Sequence, residues 1–147
     1  MPGLLIIAHA PLASALKAAA AHVYPDKLLE AVDVLPDAPL AEVERLAAEA
    51  LARVRDPQAL ILTDVFGATP CNVAQRVADG TRVRVVTGVN VPMLWRTLCY
   101  QNEPADDLVA RAVAGATQGV MQVAVSRPQN QSVKPGEHAQ VHAHHQQ

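Results

Sequence analysis

The distribution of apolar residues along the chain predicts short buried strands that alternate with amphipathic helices. Residues 3–8 and 59–62 are apolar runs without alternation, which is typical of strands buried on both faces of a parallel sheet. Residues 28–34 and 83–87 predict two further strands. Apolar positions at helical spacing, bounded by proline, aspartate or glycine, predict helices over residues 12–24, 40–55, 70–78, 91–100 and 105–117. This alternation predicts an α/β domain with a mainly parallel sheet.

The C-terminal part of the chain predicts one more strand and then a change in character. Residues 119–125 predict a last strand, and from residue 127 onward glutamine, histidine, asparagine and proline dominate. We therefore expect one domain over residues 1–126 and a disordered Gln/His-rich tail over residues 127–147. Closely spaced histidines in this tail could hold a metal ion loosely, but the composition favours adventitious affinity, so no metal site is expected at His138, His142, His144 and His145.

The composition narrows the class of protein. A length of 147 residues, half of them apolar, fits one compact domain with a sizeable core. A net charge of −2 and an aromatic content of 3% argue against a nucleic-acid surface. No apolar run approaches the roughly 18 residues of a spanning helix, so no direct membrane insertion is expected. The start of the chain lacks the basic segment of a signal peptide, and two cysteines cannot form a disulfide scaffold, so we expect a cytoplasmic protein.

Polar residues at two predicted strand ends indicate a candidate site. His9 follows the first strand and Asp64 follows the third, and in parallel sheets ligands bind beyond the carboxyl ends of strands. A carboxylate that accepts the Nδ1 proton of a histidine leaves Nε2 free as a nucleophile. Thr69 and Pro70 predict an N-cap and first helical position just beyond Asp64, and such a helix N-terminus favours an anion. Gly67 would let the backbone come close, so the pattern suits a transient phosphohistidine better than hydrolysis.

Other interpretations fit parts of the same pattern. Taken singly, His9, Asp64 and Thr69 have ordinary structural roles as a packed histidine, a loop cap and a helix start. A receiver domain phosphorylated on Asp64 would need an acidic pair for magnesium after the first strand, where residues 8–10 supply none. A small-molecule-binding or hydrolytic domain could use Cys71 with His9 and Asp64, although a semi-buried structural cysteine is the simpler interpretation. No Gly-rich phosphate loop follows the first strand, and no cofactor is expected.

Three segments in order resemble the mannose-family EIIA domain of the bacterial phosphoenolpyruvate-dependent sugar phosphotransferase system. They are IIAH at residues 6–9, LTDVFGATPCN at residues 62–72 and GVNVPML at residues 88–94. Each motif is modest alone, but their order and spacing across residues 3–126 make the resemblance specific.

This resemblance implies a phosphocarrier. It implies that His9 accepts a phosphoryl group from phospho-HPr and passes it to an EIIB domain on a separate chain, or that the protein is a regulatory phosphocarrier. It also implies that Asp64 hydrogen-bonds His9 and that Thr69 lies at the phosphate. The phosphate-binding segment around Thr69 is then expected to include Gly67, Ala68, Pro70, Cys71 and Asn72.

The resemblance also carries an expectation for the fold and the assembly. It implies a doubly wound sheet with helices on both faces, whose last strand, over residues 119–125, is antiparallel and exchanged in a homodimer. Two positions depart from the glycines that are usual in the family, namely Ala10 after the histidine and Ala68 before Thr69. Both replacements remove the option of a positive backbone φ angle.

Overall fold

The computed structural model describes residues 1–126, and within them strands and helices alternate as predicted. The strands are β1 (Gly3–His9), β2 (Leu29–Val34), β3 (Ala59–Thr63) and β4 (Val83–Thr87). The helices are α1 (Leu12–Val23), α2 (Leu40–Val54), α3 (Thr69–Val77), α4 (Val91–Cys99) and α5 (Ala105–Gln118). Each of these elements begins and ends within one residue of its predicted bounds. The predicted tail and its four histidines lie outside the described residues.

The four strands form one parallel sheet in the order β2-β1-β3-β4. Parallel strands need crossover connections, and the helices between them supply these and cover both faces. Helices α1, α4 and α5 pack on one face, and α2 and α3 pack on the other. The predicted α/β class and the helices on both faces are therefore confirmed. The strand order reverses between β1 and β3, which is where such sheets bind ligands.

Strand β1 lies between the two cores and contributes side chains to both, which explains its uninterrupted apolar sequence. Leu4 and Ile6 pack in the core beneath α1, α4 and α5, whereas Leu5 and Ile7 pack in the core beneath α2 and α3. All four side chains are fully buried. Full burial of one such side chain contributes about 1.5–3 kcal/mol to folding. The strand is thus a rigid platform for the residue at its end.

The start of β1 requires a glycine for a steric reason. A Cβ atom placed on Gly3 would lie 2.2 Å from the main-chain oxygen of Val54, at the end of α2. The missing side chain lets α2 approach the strand closely at this point.

The prediction for residues 119–125 is not confirmed in the single chain, where these residues form no strand. Helix α5 runs to Gln118, and the residues after it are exposed, with Val120 at 74% and Val125 at 88%. A strand forms only when a neighbouring strand accepts its main-chain hydrogen bonds, and this segment contacts none within residues 1–126. Antiparallel pairing with a second copy remains an expectation.

Candidate functional site

The site lies at the carboxyl edge of the sheet, where the strand order reverses. His9 is the last residue of β1, and Asp64 is the first residue after β3. Because β1 and β3 pair directly, with Ile7 opposite Thr63, the two chain segments leave the sheet side by side. The topology thus brings together the two polar residues that the sequence analysis singled out.

His9 and Asp64 form two hydrogen bonds to each other. The main-chain N–H of His9 donates to Oδ2 of Asp64 at 3.0 Å, and the ring atom Nδ1 lies 2.7 Å from the same oxygen. The second oxygen, Oδ1, accepts the main-chain N–H of Val65 at 2.9 Å. Since an ionised carboxylate only accepts hydrogen bonds, the proton is on Nδ1 of His9.

These contacts set the ionisation state of Asp64. Partial burial by itself would raise the pKa of the carboxyl group. The main-chain N–H of His9, the His9 ring and the main-chain N–H of Val65 outweigh this effect, and the pKa of Asp64 lies below its ordinary value. Asp64 is therefore a carboxylate at neutral pH and a strong acceptor for the ring proton.

The ring of His9 has a second nitrogen available for chemistry. The His9 side chain is 50% exposed, whereas that of Asp64 is 13% exposed. No residue among 1–126 other than Asp64 hydrogen-bonds the ring. By strand alternation His9 lies on the same face of the sheet as Leu5 and Ile7, which is the face covered by α2 and α3. Nε2 of His9 therefore carries a free lone pair, and the ring lies at the edge of the sheet face that α2 and α3 cover.

Helix α3 begins one residue earlier than predicted, and this changes the role of Thr69. The N-cap is Ala68, which has the extended φ of −100° and ψ of 172° that an N-cap requires, and Thr69 is the first helical residue. The prediction that Thr69 is the N-cap and Pro70 the first helical residue is therefore wrong by one position. Thr69 is exposed, and its hydroxyl forms no hydrogen bond to the described residues. The hydroxyl is free for a ligand because it does not cap the helix.

The first turn of α3 also has open main-chain donors. The first N–H that bonds back into the helix is that of Asn72, which donates to the Ala68 carbonyl at 3.0 Å. The N–H groups of Thr69 and Cys71 precede this bond, and no side chain in the described part of the chain caps them. Pro70 has no N–H, so these two groups carry the positive end of the helix dipole.

The loop between Asp64 and α3 contains one residue that must be glycine. Gly67 has a φ of +88° and is exposed, with open space where a Cβ atom would lie. In the described part of the chain only glycines have a positive φ. Ala10 and Ala68, the two departures from the family pattern, therefore have negative φ angles. The alanines thus fit ordinary backbone conformations, and the turn depends on Gly67 alone.

The remaining predicted site residues differ in their exposure. Asn72 is exposed on α3, whereas the side chains of Pro70 and Cys71 are buried. Cys71 is 3% exposed, and no hydrogen bond joins its thiol to the His9 ring in residues 1–126. A catalytic thiol needs hydrogen-bond contact with its base, so the alternative of a Cys–His–Asp hydrolase is not supported.

The structure also shows polar residues whose roles the sequence analysis missed. Asn90 caps α4 by accepting the Met93 N–H at 2.9 Å, and its amide donates to the Ala116 carbonyl at 3.3 Å. An asparagine just before a proline in the first helical turn is a recognisable cap signal. Asp33 on β2 bonds Ser14 on α1, and this contact has no local sequence signal because the two residues are 19 positions apart.

Within the described residues we find no group of three or more histidine, cysteine, aspartate or glutamate side chains placed to hold a metal ion. None of the helices in this part of the chain is long and apolar enough to cross a membrane.

The doubly wound sheet holds a paired histidine and carboxylate at its switch point, which is where open α/β sheets bind ligands. Residues 3–113 match the model of the EIIA-man family, described as the PTS system fructose IIA component, and the chain belongs to this family.

Comparison with curated proteins supports the same family. The chain is 42% identical over 64 residues to the mannose-specific EIIAB component of the phosphotransferase system of Escherichia coli strain K12. This match spans 42% of the chain and only 20% of the length of that relative.

Solved structures share the fold. The phosphotransferase system component EIIA from Streptococcus agalactiae superimposes with a TM-score of 0.74 at 20% identity, covering 83% of this chain and 97% of that one. The mannose/sorbose-specific IIA subunit from Enterococcus faecalis gives a TM-score of 0.73 at 24% identity, covering 86% and 98% of the two chains.

Proposed function

We propose that the protein is a phosphocarrier in which His9 accepts a phosphoryl group from phospho-HPr. The group then passes to an EIIB domain on a separate chain, or the phosphorylated protein acts as a regulator. The observation that carries this proposal is the 2.7 Å contact between Nδ1 of His9 and Asp64, which leaves Nε2 free at the carboxyl edge of the sheet, the edge at which α3 also begins. A cytoplasmic location is part of the proposal.

The transfer step uses the lone pair on Nε2. This nitrogen attacks the phosphorus atom, a bond forms between Nε2 and phosphorus, and the bond between phosphorus and the donor atom of phospho-HPr breaks. The electron pair of the broken bond stays with the donor. The ring of phosphorylated His9 gains positive character, which the Asp64 carboxylate stabilises through the proton on Nδ1. Transfer to the acceptor reverses these changes.

The start of α3 is the proposed binding place for the phosphoryl oxygens. The N–H groups of Thr69 and Cys71 and the Thr69 hydroxyl are donors without partners in the described residues. Gly67 lets the main chain before the helix turn tightly, with Ala68 at the cap. A helix N-terminus and a free hydroxyl suit a dianionic group.

The same geometry supports phosphoryl transfer over hydrolysis. Hydrolysis needs a base that activates water, and the one carboxylate among residues 1–126 that bonds the His9 ring, Asp64, is occupied by the ring proton. The phosphorylated histidine can therefore persist until an acceptor arrives.

We further propose a homodimer in which residues 119–125 pair antiparallel with β4 of a second copy. Within residues 1–126 the only strand paired with β4 is β3, so the outer edge of β4 has free main-chain groups. An open groove follows this edge, with Val83 and Val85 on the strand and Val109 on α5. The exposed residues of the C-terminal segment that could fill such a groove are Val120, Met121, Val123 and Val125.

Phosphorylation with purified components tests the proposed function. Incubation with enzyme I, HPr and phosphoenolpyruvate should give an acid-labile, alkali-stable label. His9→Ala should abolish the label, and His22→Ala, which removes another exposed histidine at the end of α1, should retain it. A full label on His9→Ala, or an acid-stable label on Asp64, would contradict the proposal.

A further inference from the structure

Helix α1 begins next to His9 without a cap of its own. Its N-cap is Pro11, which forms no side-chain cap hydrogen bond. Asp33 supplies the acceptor from the neighbouring strand: Oδ1 accepts the Ser14 N–H at 3.0 Å, and Oδ2 accepts the Ser14 hydroxyl at 2.5 Å. A carboxylate from β2 therefore occupies the positive end of α1.

Asp33 lies close to His9 along the sheet but on its other face. In the register between β1 and β2, Ala8 pairs with Asp33 and His9 pairs with Val34. By strand alternation Asp33 shares the face of Leu29, which packs under α1, whereas His9 lies on the α3 face. Asp33 is thus one register position away from His9, on the opposite face of the sheet, and does not hydrogen-bond the imidazole.

We propose that Asp33 is a positioning residue for the phosphoryl group on His9, an inference that rests on the proposed function. Two helices, α1 and α3, begin at this edge of the sheet, and either N-terminus would attract an anion. Asp33 fills the first, while among residues 1–126 no side chain caps the second. Repulsion by Asp33 and attraction by α3 therefore direct the phosphoryl group to the same place. The repulsion also limits the stability of phosphorylated His9, which favours release of the group to an acceptor.

Replacement of the charge alone tests this role. Asp33→Asn keeps an oxygen that can accept the Ser14 N–H but removes the negative charge. The equilibrium constant for transfer from phospho-HPr should rise about 3- to 10-fold at low salt, and by less at high salt because ions screen the charge. In a 31P titration the pKa of the phosphoryl group should fall by about 0.5 to 1 unit, which is the same change in free energy.

Two matched variants separate charge from structure. Asp37 is an exposed loop residue whose side chain forms no hydrogen bond in the described part of the chain. Asp37→Asn removes the same charge and should shift the equilibrium constant by less than about twofold. Ser14→Ala removes the hydroxyl that Asp33 binds but leaves the charge, so it should lower the melting temperature without moving the equilibrium. Asp33→Ser, with a neutral acceptor, replaces Asp33→Asn if the latter does not fold.

The outcomes distinguish this inference from the proposed function. An unchanged equilibrium in Asp33→Asn, or an equal shift in Asp37→Asn or Ser14→Ala, overturns the role of Asp33. If wild-type protein takes no phosphate from phospho-HPr, the proposed function fails. The role of Asp33 is then decided on protein phosphorylated chemically at His9 with phosphoramidate. There, a lower phosphoryl pKa in Asp33→Asn supports the role, and an equal pKa overturns it.

Discussion

One oxygen of Asp64 bonds two atoms of His9: Oδ2 accepts the main-chain N–H at 3.0 Å and lies 2.7 Å from Nδ1 of the ring. The first bond fixes the end of β1 relative to the loop after β3, and the second fixes the tautomer and the plane of the ring. A single carboxylate therefore positions both the backbone and the imidazole ring of His9, at a point where the sheet topology already brings the two residues together.

Asp64→Asn should slow phosphoryl transfer about 10- to 100-fold without unfolding the domain. The amide oxygen can still accept the ring proton, but it has no charge to stabilise the phosphorylated ring. Rapid-quench measurement of transfer from phospho-HPr gives the rate, and circular dichroism checks the fold. Asp37→Asn, an exposed aspartate after β2, is the matched control and should transfer at the wild-type rate. A rate in Asp64→Asn equal to that of wild type would remove Asp64 from the mechanism.

Thr69→Val should reduce transfer about 10-fold, because a charge-assisted hydrogen bond to the phosphoryl group is lost. Thr69→Ser keeps the hydroxyl and should transfer at close to the wild-type rate. Since the hydroxyl forms no hydrogen bond in the described residues, both variants should melt near the wild-type temperature. Equal rates in the valine and serine variants would show that the hydroxyl does not contact the phosphate.

Low pH should destabilise the domain by protonating Asp79, whose carboxylate hydrogen-bonds the turn before β4. Its carboxylate accepts the N–H groups of Val83 and Thr81 at 2.9 Å each. These hydrogen bonds, from Val83 and from Thr81, lower the pKa of Asp79 from 3.8 to about 2. A group with a lowered folded-state pKa stabilises the protein above its unfolded-state pKa, and this stability is lost as the pH falls through the folded value. The wild-type protein should therefore lose this contribution between about pH 4 and pH 2.

Comparison with Asp79→Asn measures that contribution. The difference in the free energy of unfolding between wild type and Asp79→Asn should be constant above about pH 5 and shrink towards pH 2. Urea unfolding at a series of pH values provides the measurement. A difference that does not change with pH would show that the turn does not depend on the ionised form of Asp79.

The sequence predicted the elements and the central pair of this site because their signals are local. An uninterrupted apolar run that ends in His9, and another that ends before Asp64, indicate parallel strands whose carboxyl ends meet. The bond between Asp33 and Ser14 was missed because Asp33 lies on strand β2, 19 positions after Ser14, and nothing in the local sequence of α1 indicates that a strand residue caps it. The predicted start of α3 is one residue too late. A proline fits the first turn of a helix whether Thr69 or Ala68 is the N-cap, and only the backbone angles identify Ala68. Residues 119–125 form no strand in the single chain, and their pairing with a second copy stays a prediction.

Removal of the C-terminal segment tests the exchanged strand. A chain that ends after residue 117 should leave the outer edge of β4 without a partner strand and the groove at Val85 and Val109 open, and it should therefore aggregate or lose solubility. A chain that ends after residue 127 keeps the segment and should match the full-length protein in fold and transfer rate. If a dimer completes each sheet, the melting temperature of the full-length protein should rise with its concentration.

A single charge within the segment provides a sharper test than truncation. Val123→Asp places a carboxylate where the exchanged strand would bury an apolar side chain against the partner, whereas Val123→Thr keeps a branched side chain of similar volume. If residues 119–125 pair with a second copy, sedimentation should show a dimer for wild type and Val123→Thr and a smaller or aggregated species for Val123→Asp. In the single chain Val123 is 73% exposed, so a monomeric protein would tolerate either change equally. Wild-type protein that sediments as a well-behaved monomer at micromolar concentration would therefore contradict the exchange directly.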